Sequence, residues 1–293
     1  MRYLTKSIFL TVSLCLASFF PATPVKADTA TSLNLDSNLD SIQIDVPAPK
    51  SNSSGICSNY IEPVINNIIE RPGLNSGKWA ILVQTLEGTN IYSRSPDSYM
   101  IPASNMKLLV TAAALQKLNP NGLIRSTSIS DWIKVTNLRS DNAYANVLLS
   151  FLGGSQSVQQ ALTGLGVDAN GYRMRDGSGL SRNNLATPRS LVSTLRAMHQ
   201  AQGNEVFLAS LPIAGISGTL RNRLRQTTAE GTVRAKTGTL KGVRALSGYI
   251  DHPEHGTLAF SIITNQPISQ PIAPVVEAID EIVLRLSEMV ECQ

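Results

Sequence analysis

The chain has 293 residues, 42% of them hydrophobic and 16% charged, with a formal net charge of +4. Three of its basic residues (Arg2, Lys6, Lys26) and none of its acidic ones fall in residues 1–27, so the rest carries 22 basic against 21 acidic residues. That near-neutral balance, with no lysine/arginine run, argues against a nucleic-acid binder, which should present a concentrated basic face.

A basic tip is followed by an apolar run from Ile8 to Phe20, then Pro21, Pro24 and Val25-Lys26-Ala27. This is the pattern of a secretory signal peptide over residues 1–27, and it implies export to a periplasmic or extracellular compartment. The apolar run is 13 residues, short for a bilayer span; an uncleaved anchor is the alternative reading. Residues 28–56 are rich in Ser, Asp, Asn and Pro and read as a flexible linker. Residues 57–293 are long enough for one large domain, with a mostly helical subdomain over roughly 102–225.

Tyr60–Glu70 places Ile61, Val64, Ile65, Ile68 and Ile69 on one helical face, and Pro72-Gly73 ends the helix. Trp79–Leu86 and Asn90–Ser95 flank Glu87-Gly88-Thr89 and read as a β-hairpin. Pro102 opens a helix running to about Leu118 that is apolar nearly all round, which predicts a buried helix. Val233–Thr237, Arg244–Asp251 and Thr257–Asn265 read as three strands, and Ile272 to Met289 as a long closing helix. Together these predict an α+β fold: one antiparallel sheet covered by the N- and C-terminal helices, with the helical part beside it and a site between them.

Three strings carry chemistry. Ser104-Asn105-Met106-Lys107 is the one Ser-x-x-Lys in the chain; three residues apart at a helix start, the two side chains share a face. A serine hydroxyl needs an adjacent base, and burial lowers a lysine pKa so that a neutral amine becomes accessible. Ser140-Asp141-Asn142 lies in the loop before the Ala143–Leu149 helix, where a plain N-cap is an equally good reading. Ser-x-Asn also occurs at Ser32 and at Ser181, the latter in the glycine-rich turn Asp176-Gly177-Ser178-Gly179-Leu180-Ser181. Lys236-Thr237-Gly238-Thr239 ends a strand, with a glycine where the backbone approaches something closely. His199, His252 and His255 build no Ser-His-Asp triad, and His252-x-x-His255 lacks the helical context and third ligand of a metal site. No metal and no cofactor is expected.

The order of these strings resembles the penicillin-recognising serine acyl enzymes. With Ala143-Tyr144-Ala145-Asn146, Asp176 to Arg182 and Gly218-Thr219-Leu220, the stretch from about Tyr60 to Leu286 resembles the low-molecular-mass class C penicillin-binding proteins, D-alanyl-D-alanine carboxypeptidases/endopeptidases. The resemblance implies a β-lactamase/transpeptidase-like fold and a serine carboxypeptidase acting on peptidoglycan stem peptides, with an endopeptidase activity as an open addition. β-Lactams would be covalent inhibitors. It implies Ser104 as nucleophile, Lys107 as base and Ser140 as proton carrier with help from Lys236. Asn142, Thr237, Gly238 and Thr239 would bind substrate, the threonines holding its carboxylate. A β-lactamase-like hydrolase or a non-catalytic cell-wall-binding protein on the same scaffold are the rivals. The family usually inserts long domains between the first two strings; here Lys107 and Ser140 stand 33 positions apart.

Cys57 directly precedes the first amphipathic helix and Cys292 directly follows the last. If those helices pack antiparallel on one sheet face, the two cysteines meet, and an exported chain would keep a Cys57–Cys292 disulfide.

Overall fold

The computed structural model describes residues 55–292. The signal segment and nearly all of the expected linker lie outside the described residues. Ile56, expected as the linker's last residue, is in a strand: β1 (Ile56–Cys57) pairs in parallel with a two-residue strand, Met289–Val290, at the other end of the domain.

The first helix, α1 (Ile61–Ile69), forms as the isoleucine spacing predicts, and Ile61, Ile65, Ile68 and Ile69 are buried. Each such side chain removed from water contributes about 2 kcal/mol of transfer free energy. The hairpin follows as β2 (Lys78–Thr85) and β3 (Asn90–Arg94). Next come α2 (Met106–Lys117), a small hairpin of β4 (Leu123–Ile124) and β5 (Thr127–Ser128), α3 (Ile129–Leu138), α4 (Asn142–Phe151) and α5 (Ser155–Gly164). A second small hairpin, β6 (Tyr172–Arg173) with β7 (Leu185–Ala186), leads to α6 (Pro188–Gln200) and α7 (Asn204–Ser210). The chain then returns to the sheet with β8 (Val233–Leu240), β9 (Val243–His252) and β10 (Gly256–Asn265). It closes with α8 (Ile272–Ser287) and β11 (Met289–Val290). Met289, expected in the closing helix, is the first residue of β11.

The main sheet is antiparallel throughout, in the order β3-β2-β10-β9-β8. Both of its faces are buried. Ile81 and Val83 of β2, with Phe260 and Ile262 of β10, face α1 and α8; Ala80, Leu82, Ala259 and Ile263 face the core that contains α2. Because successive side chains alternate faces, a strand covered on both sides needs apolar residues at every position, hence the unbroken Trp79–Val83 run. Every residue of α2 from Met106 to Leu115 is buried, so this helix is the centre of the second core.

The two ends of the domain are joined covalently. Cys57 and Cys292 form a disulfide with their Cα atoms 4.9 Å apart. The loop it closes spans 235 residues, for which the chain-entropy account gives an upper figure of about 5 kcal/mol. Among the described residues, no helix is long and apolar enough to cross a membrane.

Candidate active site

The site forms where a tight turn, a loop and a sheet edge meet. Ser104 stands in a single 3-10 turn, Ala103–Asn105, that runs directly into α2. The turn is pinned to the sheet: Asn105 Nδ2 donates to Ser247 Oγ at 2.6 Å, and that hydroxyl is 2.9 Å from Ser261 Oγ. Two glycines allow the close packing. A Cβ at Gly238 would stand 2.7 Å from the Pro102 carbonyl oxygen, and one at Gly179 would lie inside the Ala103 carbonyl. Gly179 also has φ +85°, a left-handed conformation that side chains disfavour.

Lys107 is fully buried, yet its amine is surrounded by oxygen. Nζ lies 2.9 Å from Ser104 Oγ, 2.8 Å from Asn142 Oδ1 and 2.5 Å from the Ser178 carbonyl oxygen. Burial lowers its pKa to about 7, against the opposing pull of Asp141 and Asp176. A neutral amine has two N–H donors and one lone pair. In that neutral form, donors on Asn142 and Ser178 would leave the lone pair for the Ser104 hydroxyl 2.9 Å away, the geometry that an activated nucleophile requires.

Ser140 and Asn142 open α4, and the capping alternative is partly realised beside them. Asp141, not Ser140, is the N-cap, accepting from the Tyr144 N–H at 2.9 Å. That leaves the Ser140 hydroxyl for Lys236, whose Nζ lies 2.8 Å away. Ser140 has φ +59° and Ala103, just before Ser104, φ +48°. Non-glycine residues held there carry strain of about 1–3 kcal/mol each, which accumulates at functional sites. The rival Ser181 turns elsewhere: its hydroxyl accepts from the Asn183 N–H, and its own N–H donates to Asp176.

Lys236-Thr237-Gly238-Thr239 lies inside β8, not at its end as expected, because the strand continues to Leu240. The string pairs along β9, Lys236 opposite Ser247 and Thr239 opposite Arg244. β8 is the outer strand of the sheet, so half of its backbone groups are turned away from β9. Lys236 is fully buried, and burial, with the nearby Lys107 charge, holds its pKa well below the ordinary lysine value. Its Nζ also donates to the Thr237 carbonyl oxygen at 3.0 Å. Thr237 and Thr239 line a cavity of about 220 Å³ together with Ser104, Ser140 and Asn142.

Several contributors left no side-chain signal of chemistry in the sequence. The acceptor for Lys107 at residue 178 is a backbone oxygen, positioned by a loop built on Asp176. That carboxylate accepts from Ser178 Oγ, the N–H groups of Gly179 and Ser181, and Asn184 Nδ2. Burial would raise the Asp176 pKa, but these hydrogen bonds hold it below the usual carboxylate range. Asn146 Oδ1 fixes the same loop by accepting from the Gly177 and Ser178 N–H groups. Thr219, noted only as part of the Gly218-Thr219-Leu220 string, is joined to the Thr237 hydroxyl at 2.8 Å. Arg139, Arg223 and Arg244 also line the cavity. His252 and His255 lie apart from this site in the β9–β10 turn, where His252 Nδ1 accepts two backbone N–H groups. Among the described residues no group of three or more His, Cys, Asp or Glu side chains could hold a metal ion.

The chain and its fold are similar to known proteins. The pattern of the D-Ala-D-Ala carboxypeptidase 3 (S13) family matches residues 62–127 and 123–287. A D-alanyl-D-alanine carboxypeptidase of an Actinomadura species is 45% identical over 165 residues, which are 51% of this chain and 30% of that protein. A D-alanyl-D-alanine carboxypeptidase of Haemophilus influenzae is 32% identical over 149 residues, 46% of this chain and 31% of that protein. These matches thus span roughly a third of the relatives' own length. Among solved structures, penicillin-binding protein 4 of H. influenzae superposes with a TM-score of 0.66 at 14% identity, covering 76% of this chain and 99% of that one. A β-lactamase of Chitinophaga pinensis gives 0.64 at 19% identity, covering 77% and 97%. The fold is that of the penicillin-binding proteins and class A β-lactamases.

Proposed function

We propose that this chain, which belongs to the D-Ala-D-Ala carboxypeptidase 3 (S13) family, is an exported serine carboxypeptidase that removes the terminal D-alanine from peptidoglycan stem peptides through an acyl-enzyme on Ser104. The observation that carries the reading is the buried Lys107 amine, 2.9 Å from Ser104 Oγ, with a pKa near 7.

In acylation, Ser104 Oγ attacks the carbonyl of the D-Ala-D-Ala bond while Lys107 Nζ takes the hydroxyl proton. The tetrahedral oxyanion forms between the Ser104 and Thr239 N–H groups. Collapse breaks the C–N bond, and the proton taken up by Lys107 passes by way of the Ser140 hydroxyl, which Lys236 backs at 2.8 Å, to the leaving amine, so that Lys107 is neutral again. Asn142 and the free side of β8 hold the peptide backbone, and Thr237 and Thr239 receive the terminal carboxylate. Water then attacks the ester, giving its proton to the same base, and Ser104 is restored. A β-lactam would acylate Ser104 in the same way and leave slowly. The class A enzymes' glutamate before Leu-Asn, which activates the deacylating water, has no counterpart between Asn142 and Lys236.

Incubation with a fluorescent penicillin tests the reading. A stable adduct on the parent chain that is lost in a folded Ser104→Ala variant is expected, along with release of D-alanine from a D-Ala-D-Ala peptide. Rapid turnover of the penicillin would point instead to a β-lactamase-like hydrolase, and absence of any label to a non-catalytic wall-binding protein.

A further inference from the structure

Among α2, α3 and α7 the apolar core encloses a polar network that the chemistry above does not use. Asn137, in the last turn of α3, is fully buried. Its Nδ2 donates to Thr111 Oγ1 of α2 at 3.1 Å and to Ser210 Oγ, at the end of α7, at 2.9 Å. Both hydroxyls pass the connection on. Thr111 Oγ1 donates to the Lys107 carbonyl oxygen at 2.9 Å, and Ser210 Oγ to the Phe207 carbonyl oxygen at 2.6 Å. Asn137 Oδ1, equally buried, has no hydrogen-bond partner. A buried acceptor in that state costs free energy, so stability alone does not account for an amide here. A leucine has the same branching and no polar atom to satisfy.

Its place in the chain supplies the reason. Lys107 and Thr111 are one turn apart on α2, so the threonine hydroxyl holds the turn that carries the base. Ser140 follows Asn137 closely, just after α3 ends at Leu138, and it is held at φ +59° between α3 and α4. The amide therefore joins the helix of Lys107 to the end of the helix that delivers Ser140. Apolar contacts are non-directional and tolerate a slide of one helix along another, whereas a hydrogen bond has a fixed length and direction.

We infer that Asn137 is a positioning residue: through Thr111 it sets the place of the Ser140 hydroxyl relative to Lys107, and with it the delivery of the proton to the leaving group. The inference rests on the peptidase reading above and concerns departure of the amine, not the attack by Ser104.

Asn137→Leu keeps the shape and removes the bridge. Two substrates with one acyl part separate positioning from general damage: an N-acyl-D-Ala-D-Ala peptide, whose leaving amine must gain a proton, and the matching thioester, whose thiolate leaves without one. In the variant, kcat/KM for the peptide is expected to fall about 10- to 100-fold, the cost of a misplacement of about 1 Å, while the thioester keeps close to the parent value. The melting temperature should hold or rise, because the orphaned oxygen leaves with the amide and both hydroxyls keep their carbonyl acceptors. Thr111→Val should reproduce the selective loss, and the double variant should lose no more than either alone, since both break one bridge. Equal losses on peptide and thioester overturn the inference, as do an unchanged peptide rate in a folded variant and failure of both single variants to fold. Hydrogen exchange reads the geometry without the reaction. The Arg139 amide, bonded to the Val135 carbonyl, should exchange about tenfold or more faster in Asn137→Leu while α2 keeps its protection. If the parent turns over neither substrate, the peptidase reading falls and exchange decides: faster exchange confined to the end of α3 sustains Asn137 as the residue that places Ser140, and unchanged exchange removes it.

Discussion

Two parts of this molecule bury charged groups, and they treat them in opposite ways. Beneath α8, Arg223 and Asp280 bury a matched pair: two guanidinium nitrogens meet one carboxylate. Burial pushes the Asp280 pKa up and Arg223 pulls it back. Along the seam between α2 and β8, Lys107 and Lys236 are equally buried but face no carboxylate within hydrogen-bonding reach; their partners are hydroxyls, an amide and carbonyl oxygens. A paired charge is neutralised by its neighbour and can serve structure. An unpaired amine is neutralised by losing its proton, and a neutral amine beside a hydroxyl is a base. The difference between the two regions is therefore the difference between a structural ion pair and a pair of unpaired amines.

The largest expected effect comes from removing the base. Lys107→Met should lower the rate of penicillin acylation by about 10⁴-fold or more, comparable to deleting the nucleophile, since such residues act as a unit. Its melting temperature should fall only modestly: an apolar side chain removes a buried amine, but Asn142 Oδ1 and the Ser178 carbonyl lose that donor. A large loss of stability without loss of labelling would invert the assignment of the two regions. Asp280→Ala should do the reverse. It leaves Arg223 buried and unpaired and should destabilise the fold by about 3–5 kcal/mol in denaturant titration. Replacing both partners by apolar residues should recover most of that loss.

Ser140→Ala should reduce D-alanine release by about 10²-fold, the lower range for a lost proton-transfer group, with substrate binding little changed. A rise in KM at constant kcat would mark Ser140 as a binding group instead. The smallest effect is the pH profile. In the proposed mechanism Lys107 acts as the neutral amine, so kcat/KM for acylation should rise about tenfold per pH unit below about 7 and level off above it. A rate that fell with rising pH through 7 would require the ammonium form and would break the comparison.

Much of this was legible in the chain alone, for local reasons. The isoleucine spacing of α1, the Glu87-Gly88-Thr89 turn and the all-apolar α2 follow from the side-chain periods of helix and strand. Cysteines flanking the first and last helices were enough to anticipate their bridge. Lys236-Thr237-Gly238-Thr239 was legible as a string but misplaced at a strand end, because pairing with β9, and not local propensity, carries β8 on to Leu240.

By itself, then, the sequence determined the elements and the identity of the reactive residue types, since periodicity, turn chemistry and the Ser104–Lys107 spacing are all properties of a few neighbouring residues. It favoured Ser140 over Ser181 from loop context, but it could not show which groups Ser140, Ser181 or Arg244 would meet. Only the tertiary structure decided these points. Burial and the partners of a charge are set by segments far apart in the chain: Lys236 meets Ser140 across 96 residues, Lys107 meets the Ser178 carbonyl across 71, and Asp280 satisfies Arg223 across 57 while leaving Arg244 without a carboxylate. Whether a cation is a base or a strut depends on that environment, which exists only once the chain has folded.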